Sequence, residues 1–255
     1  MPSKIKTHCF LIKKTPYSES SMILQVFSDT LGLISILAKG IRKSKPQSVY
    51  LLNILNEYEL VVTEPTQSGL HTLTELTLIR EYPTDLPLNT WFNVQAGAEI
   101  LTKLLIPHDE VPQFYLALSQ YLDYQKQVQV NSIAIFWRYL LHLYKLMGIP
   151  VNLSLCSLCH KELIKPAGYS AQSGRLLCQD CLPISPEANM FTAEAISLIS
   201  MLPTIGNFIK DLEISKQSEM QINDFLLSYL SLQFNKPIHL KCLQNVVHNK
   251  KGLSE

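Results

Sequence analysis

Cys156-Ser157-Leu158-Cys159 and Cys178-Gln179-Asp180-Cys181 bracket a loop of eighteen residues. Two Cys-x-x-Cys knuckles at this separation carry the spacing of a tetrahedral zinc site, each knuckle offering two thiolates to one metal. Pro166, Gly168 and Ser173-Gly174 punctuate the loop and leave two short extended stretches, Tyr169–Ala171 and Arg175–Leu177. That is the pattern of a zinc ribbon. Four thiolates close the coordination sphere, so the expected role is one structural Zn2+ held by Cys156, Cys159, Cys178 and Cys181.

Two other readings of the cysteines compete with this one. Cys156-Ser-Leu-Cys159-His160 also matches the c-type haem attachment motif, but that leaves Cys178 and Cys181 without a task. Disulfides or a thioredoxin-like redox pair need an oxidising compartment or an exposed reactive thiolate. Residues Met1–Lys14 carry lysines around an apolar core of only Cys9–Ile12, too short for a signal peptide. The expected location is therefore the cytoplasm, at the nucleoid if DNA is the partner, where thiols stay reduced and available to zinc. His160 reads as a solvated loop residue and Cys9 as a small buried hydrophobe.

Working outward, the 255 residues are 47% hydrophobic and 17% charged, with a mean hydropathy of +0.10. That length suits one large domain or two modest ones. The chain shows no run of eighteen apolar residues, so no transmembrane helix is expected. A net charge of +1 hides an asymmetry. Residues 1–50 hold eight Lys/Arg against two Asp/Glu; residues 51–125 hold two against ten; the remainder holds twelve against nine. Basic charge is thus concentrated near the N-terminus, where a polyanion can dock.

The first eighty residues read as strands: Thr7–Thr15, Met22–Phe27, Leu33–Ala38, Glu57–Thr63 and Leu70–Arg80. Ser28-Asp-Thr-Leu-Gly32 supplies one turn. Tyr58, Leu60 and Val62 alternate with Glu57, Glu59 and Val61, the period of a half-buried strand. Alternation fails at Leu73–Glu75, which predicts a bulge. Five short strands fit a small barrel such as the OB-fold.

From Leu86 the period becomes helical. Ile133, Phe136, Trp137, Leu140, Leu141, Tyr144 and Met147 form one apolar face, with Asn131-Ser132 as caps and Gly148 as the stop. Other helices are expected over Thr90–Ile106, from Pro112, over about 192–202 and 205–213, and around Ile222–Leu230. Ser218–Gln221 offers a capping box before the last of these. The expected class is α+β. An N-terminal five-stranded OB-fold barrel spans 1–82 and binds DNA. A helical domain spans 83–255, with a four-cysteine zinc ribbon inserted at about 152–185.

Lys39-Gly40-Ile41-Arg42-Lys43-Ser44-Lys45 places four cations in seven residues after a strand. A basic loop on a small barrel suits phosphate contact, with Lys as a point charge and Arg42 as a fork. Lys4, Lys6, Lys13 and Lys14 could extend that surface. Phe10, Tyr17, Phe27 and Tyr50 could stack on bases, although core packing is the commoner fate of aromatics.

In sequence order, Tyr17-Ser-Glu19, Phe27-Ser-Asp-Thr-Leu-Gly32-Leu-Ile-Ser-Ile-Leu-Ala38-Lys39-Gly40-Ile-Arg42-Lys43-Ser-Lys45 and Leu73-Thr-Glu75, with the four-cysteine knuckle, resemble the bacterial recombination mediator family RecO. The resemblance covers nearly the whole chain, and its specificity lies in the combination. It implies an N-terminal OB-fold and a helical domain with a zinc-ribbon-like insertion. It implies a protein that is not an enzyme. Such a protein binds single- and double-stranded DNA and anneals complementary strands. It pairs with RecR, and it helps RecA load on DNA coated by single-stranded-DNA-binding protein during gap repair. The DNA contacts carry over to Lys39, Arg42, Lys43 and Lys45 and the metal ligands to the four cysteines. Near the C-terminus, Lys241-Cys242-Leu243 departs from the family's usual Lys-Ser. Two alternatives stay open on the residues alone: a zinc-ribbon OB-fold protein acting on RNA, and a zinc or thiol enzyme.

Overall fold

The computed structural model describes residues 3–43, 52–65, 69–128, 130–170, 172–185 and 187–248. Strands β1 (Lys4–Pro16), β2 (Met22–Ser28), β3 (Gly32–Ala38), β4 (Glu57–Thr63) and β5 (His71–Arg80) occupy the N-terminal part. They hydrogen-bond in the order β1-β2-β3-β5-β4 and close into a barrel, because β1 also pairs with β4. Neighbours run antiparallel except β3 and β5, which share a short parallel pairing at Ile36↔His71 and Leu37↔Thr72. This is the OB-fold arrangement expected of the sequence.

Closure depends on β1 serving two partners. Its first half pairs with β4 from Lys4 to Phe10, and its second half pairs with β2 from Cys9 to Pro16. The β2 register slips between Leu11 and Lys13, so Ile12 is the extra residue of a bulge. A bulge bends the strand and increases its twist, and the barrel corner needs both. A second slip sets Val61 against Glu75 and Val62 against Leu73. Thr74 is the odd residue there, at the site of failed alternation, and its hydroxyl donates to the Val61 carbonyl at 2.8 Å.

Alternation fills the interior. Leu24 and Val26 of β2, Tyr58, Leu60 and Val62 of β4, and Cys9 and Leu11 of β1 meet Ile36, Ala38, Ile41 and Leu52 in one apolar cluster. Fully burying side chains of this size stabilises by roughly 1.5–3 kcal/mol each. The β2–β3 turn needs a left-handed residue, and Gly32 supplies it with φ 68°. An added Cβ there would also press on Val111 at 3.2 Å. Thr7 ties the same turn to β1, bonding Ser28 and Asp29 at 2.6 Å each and Thr30 at 2.9 Å.

By internal contacts the chain divides into two compact units, Met1–Pro87 with Ala98–Ser119, and Leu88–Gly97 with Gln120–Glu255. The division therefore falls within helices α1 (Leu88–Leu101) and α2 (Val111–Gln127) rather than between elements. In the first unit Glu57 accepts hydrogen bonds from Arg80 at 2.9 Å and from Tyr115 at 2.7 Å. Phe10 lies against Tyr115 with ring centroids 4.9 Å apart.

The second unit adds α3 (Ser132–Leu146), a three-stranded sheet, α4 (Ala193–Met201), a 3-10 turn over Leu202–Phe208, α5 (Lys216–Gln233) and α6 (Lys241–His248). Helix α3 is buried on more than the expected face. Ala134, Ile135, Tyr139 and Leu143 join Ile133, Phe136, Trp137, Leu140 and Tyr144 inside, while Leu141 is only half-buried. Trp137 Nε1 donates to Asn223 at 2.8 Å, and Tyr144 donates to the Leu226 carbonyl at 2.9 Å. Gly148, at φ 71°, ends the helix as expected.

Four local expectations are corrected. Asn131 does not cap α3: it is left-handed, and its amide donates instead to the carbonyls of Ile209 and Leu212. Helix α5 starts earlier than the capping pattern implied, because Ser215 accepts from the Ser218 N–H at 3.2 Å. Helix α1 stops at Leu101, where Thr102 and Lys103 turn back onto Glu99 and Ile100. The stretch expected as a helix over 205–213 is a 3-10 turn that ends at Phe208. Polar side chains competing for backbone groups decide the first three. Among the described residues, no helix is long and apolar enough to cross a membrane.

The small sheet, in the order β7-β6-β8, consists of β6 (Gly168–Ser170), β7 (Arg175–Leu177) and β8 (Ala188–Met190). The β6–β7 turn is closed by Gly174, at φ 62°. A Cβ there would lie 2.7 Å from the Cα of Tyr229 on α5. Both the backbone conformation and the space exclude a side chain. Gly174→Ala is expected to lower stability by about 2–3 kcal/mol. Thermal melting measures this, and an unchanged Tm would show that the tip does not seat on α5.

Candidate nucleic-acid interface and metal centre

The basic turn follows β3 directly. Pairing sets Ala38 beside Met22 at the start of β2, and Leu37 beside Thr72 at the start of β5. Gly40, at φ 69°, reverses the chain, and the Lys43 N–H closes on the Gly40 carbonyl at 2.9 Å. Ile41 drops into the barrel core while Lys39, Arg42 and Lys43 face solvent. One apolar anchor thus fixes a turn whose other side chains are cationic. Lys45 and Tyr50 lie outside the described residues.

Arg42 has a second partner set that the sequence did not announce. Its N–H donates to the Ser20 carbonyl at 3.0 Å, and Nη1 donates to the Ser18 carbonyl at 3.0 Å. The basic turn is thereby tied to the β1–β2 turn, which folds on itself. Tyr17 and Ser18 donate their N–H groups to the Ser21 carbonyl, and the Ser18 hydroxyl accepts from Ser21 at 3.1 Å.

Of the auxiliary cations, Lys4 and Lys13 are exposed, whereas Lys6 and Lys14 are less available. Lys6 pairs with Glu59 at 2.9 Å. That contact, with a smaller one from His8, holds the Glu59 carboxyl below its usual range. Lys14 donates to the Leu52 carbonyl at 2.6 Å. Among the aromatics, Phe10 and Phe27 are buried and serve packing, whereas Tyr17 is exposed. The available signal for Tyr17 was its neighbourhood, Pro16-Tyr17-Ser18-Glu19-Ser20-Ser21, which is turn chemistry rather than strand.

In the second unit the four predicted cysteines come together, their Sγ atoms all within 4.8 Å of one another. Cys159 and Cys178 stand 3.8 Å apart across the two knuckles. A tetrahedral site with metal–sulfur bonds of about 2.3 Å has sulfur–sulfur edges of about 3.8 Å. The donor set and its spacing therefore fit a metal ion.

Local structure delivers each thiol. The first knuckle is a hairpin, with Cys156 N–H bonded to the Lys161 carbonyl and His160 N–H bonded to the Cys156 carbonyl. His160, at φ 57°, takes the left-handed position of that turn, so its role is conformational. Ser157 N–H docks the knuckle onto Leu176 of β7 at 2.9 Å. The second knuckle follows β7 and is closed by Leu182 N–H on the Cys178 carbonyl.

The electrostatics suit a cation. Burial pushes the Cys156 thiol up, but the backbone N–H groups of Cys159, Cys178 and Leu158 outweigh it and bring the group down to about 6. Cys181 is pushed up to about 12, first by burial, then by hydrogen bonds with Cys178, Cys159 and Cys156, and last by repulsion from Cys156. Four thiols so close cannot all ionise unless a positive charge sits between them. Strand β8, beyond the expected limit of the insertion, was missed because Ala188-Asn189-Met190 carries no β-branched residue. Behind the site Tyr169, Phe191 and Phe225 form an aromatic cluster, with centroids 5.4–5.9 Å apart, that joins ribbon to helix.

Comparison with known proteins bears on both sites. A family model described as "Recombination protein O N terminal" matches residues 1–82, and one described as "Recombination protein O C terminal" matches 88–241. Similar relatives include the DNA repair protein RecO of Oceanobacillus iheyensis, 27% identical with 86% of this chain and 84% of that one covered. The DNA repair protein RecO of Dehalococcoides mccartyi is 25% identical, covering 91% and 88%. That of Clostridium kluyveri is 24% identical, covering 97% and 96%.

Proposed function

The chain belongs to the recombination protein O family, and on that premise we propose that it is a DNA-binding recombination mediator. It anneals complementary single strands and helps RecA load on DNA coated by single-stranded-DNA-binding protein, with RecR as partner. The observation that supports this best is the solvent-facing cation cluster Lys39, Arg42 and Lys43 on one end of an OB-fold barrel. Lys45 belongs to the same run of sequence.

The physical role is electrostatic. Each cation that neutralises a phosphate releases a counterion, which drives binding without reading sequence. Two strands held on such a surface repel each other less, and base pairing then selects the partner. No bond to substrate is made or broken, so the protein acts as a binding platform rather than an enzyme. Such a protein works on chromosomal DNA, at the nucleoid.

The metal is zinc, bound by Cys156, Cys159, Cys178 and Cys181. When bound, it neutralises thiolate charge and cross-links the knuckles; four protein ligands leave no open position for catalysis.

An annealing assay tests the reading. Complementary strands pre-coated with single-stranded-DNA-binding protein should anneal faster with the protein than without it. Rates equal to the protein-free control would overturn the mediator role. Equal competition by RNA of the same sequence would widen the substrate to nucleic acid in general.

A further inference from the structure

We propose that Tyr17 stacks on an unpaired base, so that this end of the barrel prefers single-stranded over duplex nucleic acid. The inference rests on the interface assigned above and adds the strand selectivity that a purely cationic surface lacks.

Tyr17 is 61% exposed, more than any other aromatic residue among those described. Its backbone is not loose. The Tyr17 and Ser18 N–H groups both bond the Ser21 carbonyl, at 3.0 and 3.3 Å. Arg42 clamps the same turn through the Ser18 and Ser20 carbonyls. A large ring is thus held in water on a fixed turn that is hydrogen-bonded to the cationic turn. Its area contributes nothing to the apolar cluster inside the barrel, and it is not packed away as Phe10 is against Tyr115.

The charges assign the two turns different tasks. Glu19 lies in the Tyr17 turn and is exposed, and it offsets the Arg42 guanidinium bonded there to the Ser18 carbonyl, so that turn offers no net positive charge to phosphate. Lys39 and Lys43 attract it. A strand whose backbone follows the lysines meets the Tyr17 turn with its bases. Base faces are open for stacking only where the strand is unpaired; in a duplex they are covered by neighbouring pairs.

The test uses the full chain and a single-stranded oligonucleotide carrying 2-aminopurine, with a duplex of the same sequence as comparison. Stacking on an aromatic contributes enough that its removal weakens binding by roughly 5- to 150-fold per base. Tyr17→Ala is expected to weaken single-strand binding by at least about 5-fold. Duplex affinity and the salt slope should stay unchanged, and Tyr17→Phe should restore binding. The native chain should alter 2-aminopurine fluorescence and the alanine variant should not. Equal single-strand affinity of Tyr17→Ala and the native chain overturns the proposal. So does an equal loss for both strand types, which would mark a structural role for the turn. Neutralising Lys39 and Lys43 in parallel separates the two claims. If that too leaves binding intact, the interface itself is misplaced.

Discussion

Removing the metal, or replacing Cys156 and Cys178 together with serine, is expected to unfold the ribbon while the helices of the same unit persist. The ribbon has little else to hold it. Its three strands are three residues long each. Tyr169, Leu176, Leu177 and Leu163 are its main buried apolar side chains. Against that, structural zinc supplies roughly 10–16 kcal/mol of apparent binding free energy in small peptides. The helical part has its own core around Trp137, Tyr144, Phe225 and Leu226. The aromatic cluster, the Gly174 tip and the Gln221 bond to the Met190 carbonyl would transmit the loss, so the cost to the helices should be a few kcal/mol. In a protein of this size about 3 kcal/mol corresponds to a Tm decrease of roughly 6–12 °C. Hydrogen exchange is the discriminating measurement. Amides of Gly168–Ser170 and Arg175–Leu177 should lose protection on chelation, while those of α3 and α5 keep theirs. Ribbon amides that stay protected without metal would show that the four thiols are not a folding clamp. Metal release should also take up protons, because thiolates that were ligands become thiols.

Neutralising Lys39, Arg42, Lys43 and Lys45 to glutamine is expected to weaken binding of all DNA sequences alike. If about four phosphates are contacted, the log–log salt slope for single strands should be near −3 in the native chain and become shallower by about that amount in the variant. The same slope implies a loss of several hundred-fold at about 0.1 M salt. Arg42 complicates the quadruple variant, since its guanidinium also holds the Ser18 carbonyl. A Lys39→Gln, Lys43→Gln double variant leaves that clamp intact and should lose about half of the slope. Unchanged affinity in both variants would remove the turn from the interface. A loss of affinity on replacing Arg42 with the salt slope unchanged would mean that the clamp, not the charge, is what matters.

Several features were legible because they depend on spacing along the chain. Two Cys-x-x-Cys pairs with the ribbon's turn residues between them prescribe four converging thiols, and the Sγ atoms do converge. Period-two alternation in Glu57–Thr63 marked the inward residues of β4, and failed alternation located the bulge at Thr74. The basic run Lys39–Lys43 was visible as charge. In each case the chemistry is local, so the order of residues determines it.

What the tertiary structure alone decided is the pairing of groups distant in sequence. Asn131 had the identity of a cap, yet its amide is engaged by carbonyls about eighty residues away. Lys6 and Lys14 had the charge of DNA contacts, yet Glu59 and the Leu52 carbonyl engage them. Tyr17 had the hydrophobicity of a core residue, yet Arg42 and Ser21 hold its turn outside the barrel. Whether a polar or aromatic side chain is available to a ligand depends on which other groups reach it first. A linear pattern specifies what each residue offers, and only the folded chain determines what remains for a partner.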